Sequence, residues 1–282
     1  MKTISHINDL RAEIKKEKAK GNSIGLVPTM GFLHEGHLSL IRSAKKENDI
    51  VVVSIFVNPT QFNKKDDLDS YPRDLNRDSK LVEAEDADIL FIPSVEEMYP
   101  NGYSTYLEVE GLITKQLCGK SREGHFKGVT TIVSKLFNMV TPHRAYFGQK
   151  DAQQVAVIEK MVRDMNMDIE IVPCPIVREA DGLALSSRNA LLKENERKEA
   201  IILSKSLFAA EKMIIDGERL ASKIKSFITE NIKTVKDAEI DYVEVVNGKT
   251  LENIHIVEGD VLIAVAVKMG KPRLIDNIRL EV

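Results

Sequence analysis

Apolar residues along this 282-residue chain change their spacing from one segment to the next, and each spacing predicts an element. Ile4, Ile7, Leu10 and Ile14 recur on one helix face, and Gly21 closes that helix. The run from Ile24 to Val27 predicts a strand at 24–28, and Leu38, Ile41 and Ala44 predict a helix beginning near Glu35. Residues 50–57 are rich in β-branched side chains and apolar on both faces, the pattern of a strand buried in a parallel sheet. Pro59 stops it. The charged stretch 60–71 reads as loop, 73–84 as helix and 88–93 as a third short strand. Residues 111–128 read as irregular; Val129, Ile132, Val133, Leu136 and Val140 then make a helix that Pro142 ends. A strand at 144–147 stops at Gly148, a helix starts at Asp151 with Val155, Ile158 and Val162, and 169–172 is a further strand. Strands alternating with helices at these intervals imply right-handed βαβ units, hence an α/β fold with a parallel sheet and helices on both faces. Pro173 and Pro175 mark a change of texture. Two helical stretches near 194–215 and 218–233 and three strands near 239–246, 260–268 and 273–281 then predict a smaller α+β domain. The expected domains are 1–176 and 177–282.

Composition narrows the function class. A hydrophobic share of 43% with 29% charged residues describes a soluble globular protein. The formal net charge of −3 speaks against a nucleic-acid partner, because phosphate backbones are held by excess Lys and Arg. No apolar run approaches the roughly 18 residues that span a bilayer, and the first residues enter a charged amphipathic pattern instead of an apolar signal core. Cys118 and Cys174 are too few for a disulfide framework, so a reduced, cytoplasmic location is expected.

Four polar clusters fall where strands end. Residues 28–37, Pro-Thr-Met-Gly-Phe-Leu-His-Glu-Gly-His, join a strand to a helix start, and outward N–H groups there favour an anion. His34 and His37 add donors able to follow charge building on a reacting phosphorus. Gln61, in Asn58-Pro59-Thr60-Gln61-Phe62, offers a donor and an acceptor for a small polar ligand. In the third cluster Gly148 allows close backbone approach, Lys150 carries a point charge suited to phosphate, Asp151 can cap a helix, and Gln154 follows one turn later. The fourth, Leu185-Ser186-Ser187-Arg188-Asn189, preceded by Arg178 and Asp181, presents two hydroxyls and a guanidinium as an anion clamp. His34-x-x-His37 lacks the i, i+4 spacing of a helical zinc pair, and neither a P-loop nor a serine-nucleophile context is present.

Taken together, the blocks PTMGFLHEGH (28–37), FVNPTQF (56–62), YPRD (71–74), LCGKSREGHFKGV (117–129), AYFGQKDAQQ (145–154) and VREADGLALSSRN (177–189) resemble the pantothenate synthetase, or pantoate–β-alanine ligase, family. The resemblance implies a Rossmann-like sheet of the nucleotidylyltransferase superfamily, with His34-Glu35-Gly36-His37 in place of its HIGH motif and residues 185–188 as its phosphate-binding loop. It implies ATP- and magnesium-dependent joining of (R)-pantoate to β-alanine through an enzyme-bound pantoyl adenylate, in a homodimer. The alternative within the superfamily is a nucleotidylyltransferase that adenylylates a phosphorylated metabolite and forms no amide. The catalytic set implied is His34, His37, Lys150, Ser187 and Arg188. ATP would be bound by Met30, Gly31, Phe32, Leu33, His34, Glu35, Gly36, His37, Gly148, Gln149, Lys150, Asp151, Val177, Leu185, Ser186, Ser187 and Arg188. Gln61 and Gln154 would bind pantoate, with Gln61 also near β-alanine; the resemblance names no metal ligand. Phe32 stands where the family leads one to expect a small residue, and Lys64 and Lys65 where it has Gly-Pro or acidic residues. Both departures bear on how the site is gated.

Overall fold

Six strands pair in register, all parallel, in the order β1-β4-β3-β2-β5-β6: β1 (Lys2–Ile4), β2 (Ile24–Thr29), β3 (Ile50–Ile55), β4 (Ile89–Phe91), β5 (Arg144–Gly148) and β6 (Glu170–Cys174). The structure is a computed structural model that describes residues 1–63 and 65–282, with Lys65 and Asp67 described by their backbone alone. The helices between these strands are α1 (Ile7–Ala19), α2 (Glu35–Glu47), α3 (Lys65–Asp69), α4 (Leu75–Ala84), α5 (Val95–Met98), α6 (Leu112–Lys115), α7 (Cys118–Ser121), α8 (His125–Val140) and α9 (Ala152–Asp164). After β6 come α10 (Glu194–Glu199), α11 (Ile202–Ile215), α12 (Ala221–Lys233) and the antiparallel sheet β7 (Ala238–Asn247), β8 (Asp260–Met269) and β9 (Arg273–Glu281). The expected α/β architecture with a small α+β portion is the one observed.

The chain divides into two units. The first comprises 1–109, 122–149 and 157–175; the second comprises 110–121, 150–156 and 176–282. In the first, Val27, Val51 and Val53 pack with Ile41 and Ala44 of α2 and Val82 of α4. Leu26 and Val52 point to the opposite face, since side chains alternate along a strand, and are equally buried. Helix α8 covers β2 and packs with α1. In the second unit, Leu203, Leu207 and Ala210 of α11 and Ile224, Ile228 and Ile232 of α12 share a core with Val243, Val245, Ile263 and Val265. No helix among the described residues is long and apolar enough to cross a membrane.

Four local expectations are corrected. Ile4 belongs to β1, paired with Phe91, and not to the first helix; a strand of three residues is too short to show a period of two. The stretch 60–71 contains a turn at Pro59–Gln61 and α3, both shorter than a recognisable helical repeat. Residues 111–128 are not irregular throughout but carry α6, α7 and the first turn of α8, which starts after Gly124 in the left-handed region (φ 76°). Pro173 lies inside β6, where it is tolerated because β6 is an edge strand that need not donate outward.

Gly128 sets how close α8 comes to the segment that follows β3. A Cβ there would lie 2.4 Å from the Thr60 carbonyl oxygen and 2.6 Å from Gln61 Cα, both backbone atoms with nowhere to move. Gly128→Ala is therefore expected to destabilise the protein by about 3 kcal/mol, the upper part of the usual overpacking range, read from chemical denaturation. Wild-type stability in that variant would show that α8 can shift freely.

Candidate active site

Strand β2 has parallel neighbours on both sides, β3 and β5. The chain winds outward from β2 through β3 to β4, and in the other direction from β5 to β6. Connections leaving the carboxyl ends of β2 and β5 thus part, and such a switch point is where open α/β sheets take their ligands. Residues 30–37 follow β2, Asn58 to Gln61 follow β3, and Gly148 and Gln149 end β5, all in the first unit.

The turn after β2 is held by a buried carboxylate. Gly31 and Phe32 both take the left-handed backbone (φ 79° and 49°), which turns successive N–H groups the same way. The Phe32 and Leu33 N–H groups donate to Asp78 of α4 at 2.6 and 2.8 Å, and Asp78 is 1% exposed. The Thr29 hydroxyl accepts from Gly31 N–H at 3.2 Å and donates to the Ser54 carbonyl at 2.8 Å. Phe32 thus holds a left-handed conformation that small residues adopt more readily, and its ring lies under the Arg77 guanidinium, 5.6 Å from the centroid.

His34 is the N-cap of α2 and His37 its third residue, with ring centroids 4.1 Å apart. Both imidazoles are half-buried. The His34 N–H donates to His37 Nδ1 at 3.3 Å. A backbone N–H can only donate, so the neutral His37 ring carries its proton on Nε2, where it is a donor. Glu35 is exposed and pairs with Arg42, which also holds Glu85 at 2.6 Å. Gln61 is 7% exposed: its Oε1 accepts from Asn58 Nδ2 at 3.1 Å and its Nε2 lies 2.9 Å from Met30 Sδ. The Gln61 carbonyl accepts from His125 Nδ1 at 2.9 Å while Arg122 reaches His125 Nε2 at 3.1 Å, so His125 is the neutral Nδ1–H tautomer fixing the backbone under Gln61.

The second unit holds Lys150, Asp151, Gln154, Val177, Leu185, Ser186, Ser187 and Arg188. Lys150 Nζ pairs with Asp151 at 3.1 Å, and its carbonyl accepts from Asn277 Nδ2 at 3.0 Å. Residues 177–185 form a hairpin: Leu185 N–H donates to Val177 O, and Arg178 bridges Ala184. The Ser186 hydroxyl caps the turn Ser187–Leu191 by accepting from Arg188 N–H at 3.2 Å. The Arg178 guanidinium is committed to Asp276 at 2.6 and 2.9 Å and to the Gly182 carbonyl at 3.1 Å. Burial pushes the Asp276 carboxyl up and Arg178 pulls it down. Asp276 and Asn277, adjacent on β9, thereby anchor both the hairpin and the Lys150 backbone. Lys64 and the Lys65 side chain lie outside the described residues.

Sequence reasoning passed over Asp78, His125, Asp276 and Asn277. Asp78 left a trace as a carboxylate on the same face of α4 as buried Val82, and His125 lay inside the block at 117–129.

A sequence profile described as Pantoate-beta-alanine ligase matches residues 2–279. A pantothenate synthetase of Acetivibrio thermocellus is 63% identical over 282 residues, the whole of both chains. The solved pantothenate synthetase of Thermus thermophilus gives a TM-score of 0.95 at 42% identity, with 100% of each chain covered. The pantoate-beta-alanine ligase of Francisella tularensis, complexed with Beta-gamma ATP and beta-alanine, gives 0.81 at 36% identity, covering 99% of this chain and 97% of that one. The chain belongs to the pantoate–β-alanine ligase family. In a ligase of this family the Asp78 clamp has a direct consequence, because it shapes the turn that carries both histidines. Asp78→Ala would strand two buried N–H groups at about 1–3 kcal/mol each. Ligase activity is expected to fall at least tenfold, with a matching loss in denaturant unfolding. Wild-type values for both would mean the turn finds other acceptors.

Proposed function

We propose that this ligase joins (R)-pantoate to β-alanine with ATP, releasing AMP and pyrophosphate, by way of an enzyme-bound pantoyl adenylate. The observation that carries the reading is the pair of imidazoles on the first turn of α2, at the β2/β5 switch point, with the His37 proton on Nε2. In the first half-reaction a pantoate carboxylate oxygen attacks the α-phosphorus of ATP, and the bond to the bridging oxygen breaks to release pyrophosphate. In the second, the β-alanine amine attacks the acyl carbon, the bond to AMP breaks and the amide forms. No protein nucleophile is needed, so catalysis is positioning and charge stabilisation.

Within that scheme His34 and His37 contact the ATP phosphates, with His37 the donor to the leaving group. Lys150, Ser186, Ser187 and Arg188 neutralise charge on the α-phosphate and the departing pyrophosphate. Gln61 and Gln154 bind pantoate, Gln61 also meeting β-alanine. Met30, Gly31, Phe32, Leu33, Glu35, Gly36, Gly148, Gln149, Asp151, Val177 and Leu185 shape the nucleotide pocket through backbone and packing. Asp151, beside Lys150, is a carboxylate that would hold magnesium together with the nucleotide phosphates, and the ion would supply further neutralisation of phosphate charge. The same reading carries a homodimer working in the cytoplasm, where the two free, buried cysteines stay reduced.

Isotope exchange between pyrophosphate and ATP is expected to require pantoate but not β-alanine; its absence would remove the adenylate from the scheme. Release of AMP together with an amide separates this reaction from simple adenylyl transfer. His37→Ala and Lys150→Ala are each expected to slow the exchange by roughly 10²–10³-fold, the scale of losing one preorganised donor. Wild-type turnover in either would contradict its role. Gln61→Ala is expected to raise the KM for pantoate while that for ATP stays put, and an equal loss for both ligands would assign Gln61 elsewhere.

A further inference from the structure

Gln61 as an isolated side chain can present either end of its amide to a ligand, but its surroundings allow only one. Asn58, 1% exposed, uses all four of its amide hydrogen-bonding positions. Its Nδ2 donates to the Gly128 carbonyl and to Gln61 Oε1, each at 3.1 Å. Its Oδ1 accepts from the Tyr99 hydroxyl at 2.8 Å and from the Thr60 hydroxyl at 3.0 Å. The Gly128 carbonyl can only accept, so the Asn58 amide cannot turn round. A reversed Gln61 would set NH2 against NH2. The Gln61 oxygen is therefore committed inward, and its Nε2 is directed at Met30 Sδ. A thioether accepts weakly, so a carboxylate or hydroxyl oxygen would displace that contact readily.

Tyr99 follows α5 and is fixed from several sides. Its ring meets Phe56 at 6.2 Å and Tyr103 edge-on at 4.9 Å, and the Lys135 ammonium stands 5.4 Å from its centroid. Burial pushes the hydroxyl up to about 12, which keeps its proton in place across the working range.

We infer that Tyr99 is a positioning residue for the hydroxy-acid substrate: the Gly128 carbonyl sets the sense of the Asn58 amide and the Tyr99 hydroxyl holds that amide in place, so that Gln61 is kept as a pure donor and the pocket selects an oxygen acceptor at that point. This rests on the reading of Gln61 as a pantoate-binding residue. The chain Tyr99, Asn58, Gln61 lies wholly in the first unit, and Tyr99 acts on the substrate only through the other two.

The test is pyrophosphate–ATP exchange with pantoate titrated, in the full-length protein. Tyr99→Phe keeps the ring and removes one hydroxyl; it is expected to raise the KM for pantoate roughly five- to tenfold, the equivalent of one net hydrogen bond, with the KM for ATP unchanged. Thr60→Val, which removes the other donor to Asn58 Oδ1, is expected to shift the same constant in the same direction. In a Gln61→Ala background Tyr99→Phe should add little, because contacts made through a shared partner are not additive. The increase should be equal at about pH 7 and about pH 9, since the hydroxyl stays protonated at both. A pantoate KM within twofold of wild type in Tyr99→Phe, or an effect that persists in full without Gln61, overturns the inference. If Gln61→Ala leaves the pantoate KM unmoved while Tyr99→Phe raises it, the assignment of Gln61 fails and the route through it fails too.

Discussion

Parallel pairing of β2 with both β3 and β5 is the constraint on which the first unit's chemistry depends. Parallel strands end on the same edge of a sheet, so the segments that follow β2, β3 and β5 emerge side by side without any long-range signal in their own sequences. The reversal of winding at β2 keeps that edge from being roofed by a crossover helix. Helix α2 then begins directly after the turn and brings its N-terminal N–H groups with it.

Position on an edge is not yet orientation, and buried polar side chains supply the rest. Asp78 holds two N–H groups of the β2 turn, Asn58 fixes the sense of an amide, and Asp276 with Asn277 ties a hairpin and the Lys150 backbone to β9. Each is at most 3% exposed. A group so buried carries a desolvation cost that only well-aligned partners offset, which makes its geometry close to all-or-none. The group that is held, whether a backbone N–H or the Gln61 amide, thus inherits its direction from a fully buried side chain.

Much of this was legible in the chain. β2, β3 and β5, the start of α2 and the three antiparallel strands follow from period and punctuation. Residues 28–37 marked a strand-to-helix turn through their position, and that turn carries the two imidazoles. What escaped falls into two kinds. Elements of one turn or three residues, such as β1, α3, α6 and α7, are shorter than the repeat by which periodicity reveals them. Partners remote in sequence escaped for another reason. Tyr99 reaches Asn58 across 41 positions and Arg178 reaches Asp276 across 98, and nothing local marks either member.

The two units also divide the proposed chemistry by type. In the first, His37 and Gln61 are donors whose direction is set by backbone and amide contacts. In the second, Lys150 and Arg188 are cations, with Lys150 kept beside Asp151. Neutral donors can be fixed in a buried frame at little desolvation cost, which suits recognition of a hydroxy acid whose oxygens must be told apart. Cations are costly to bury but strong against a triphosphate, so they sit better on partly exposed segments with a carboxylate that a phosphate can replace. On the proposed roles, selectivity for the acid and stabilisation of the leaving pyrophosphate would rest on different side chains, and a change in one need not disturb the other.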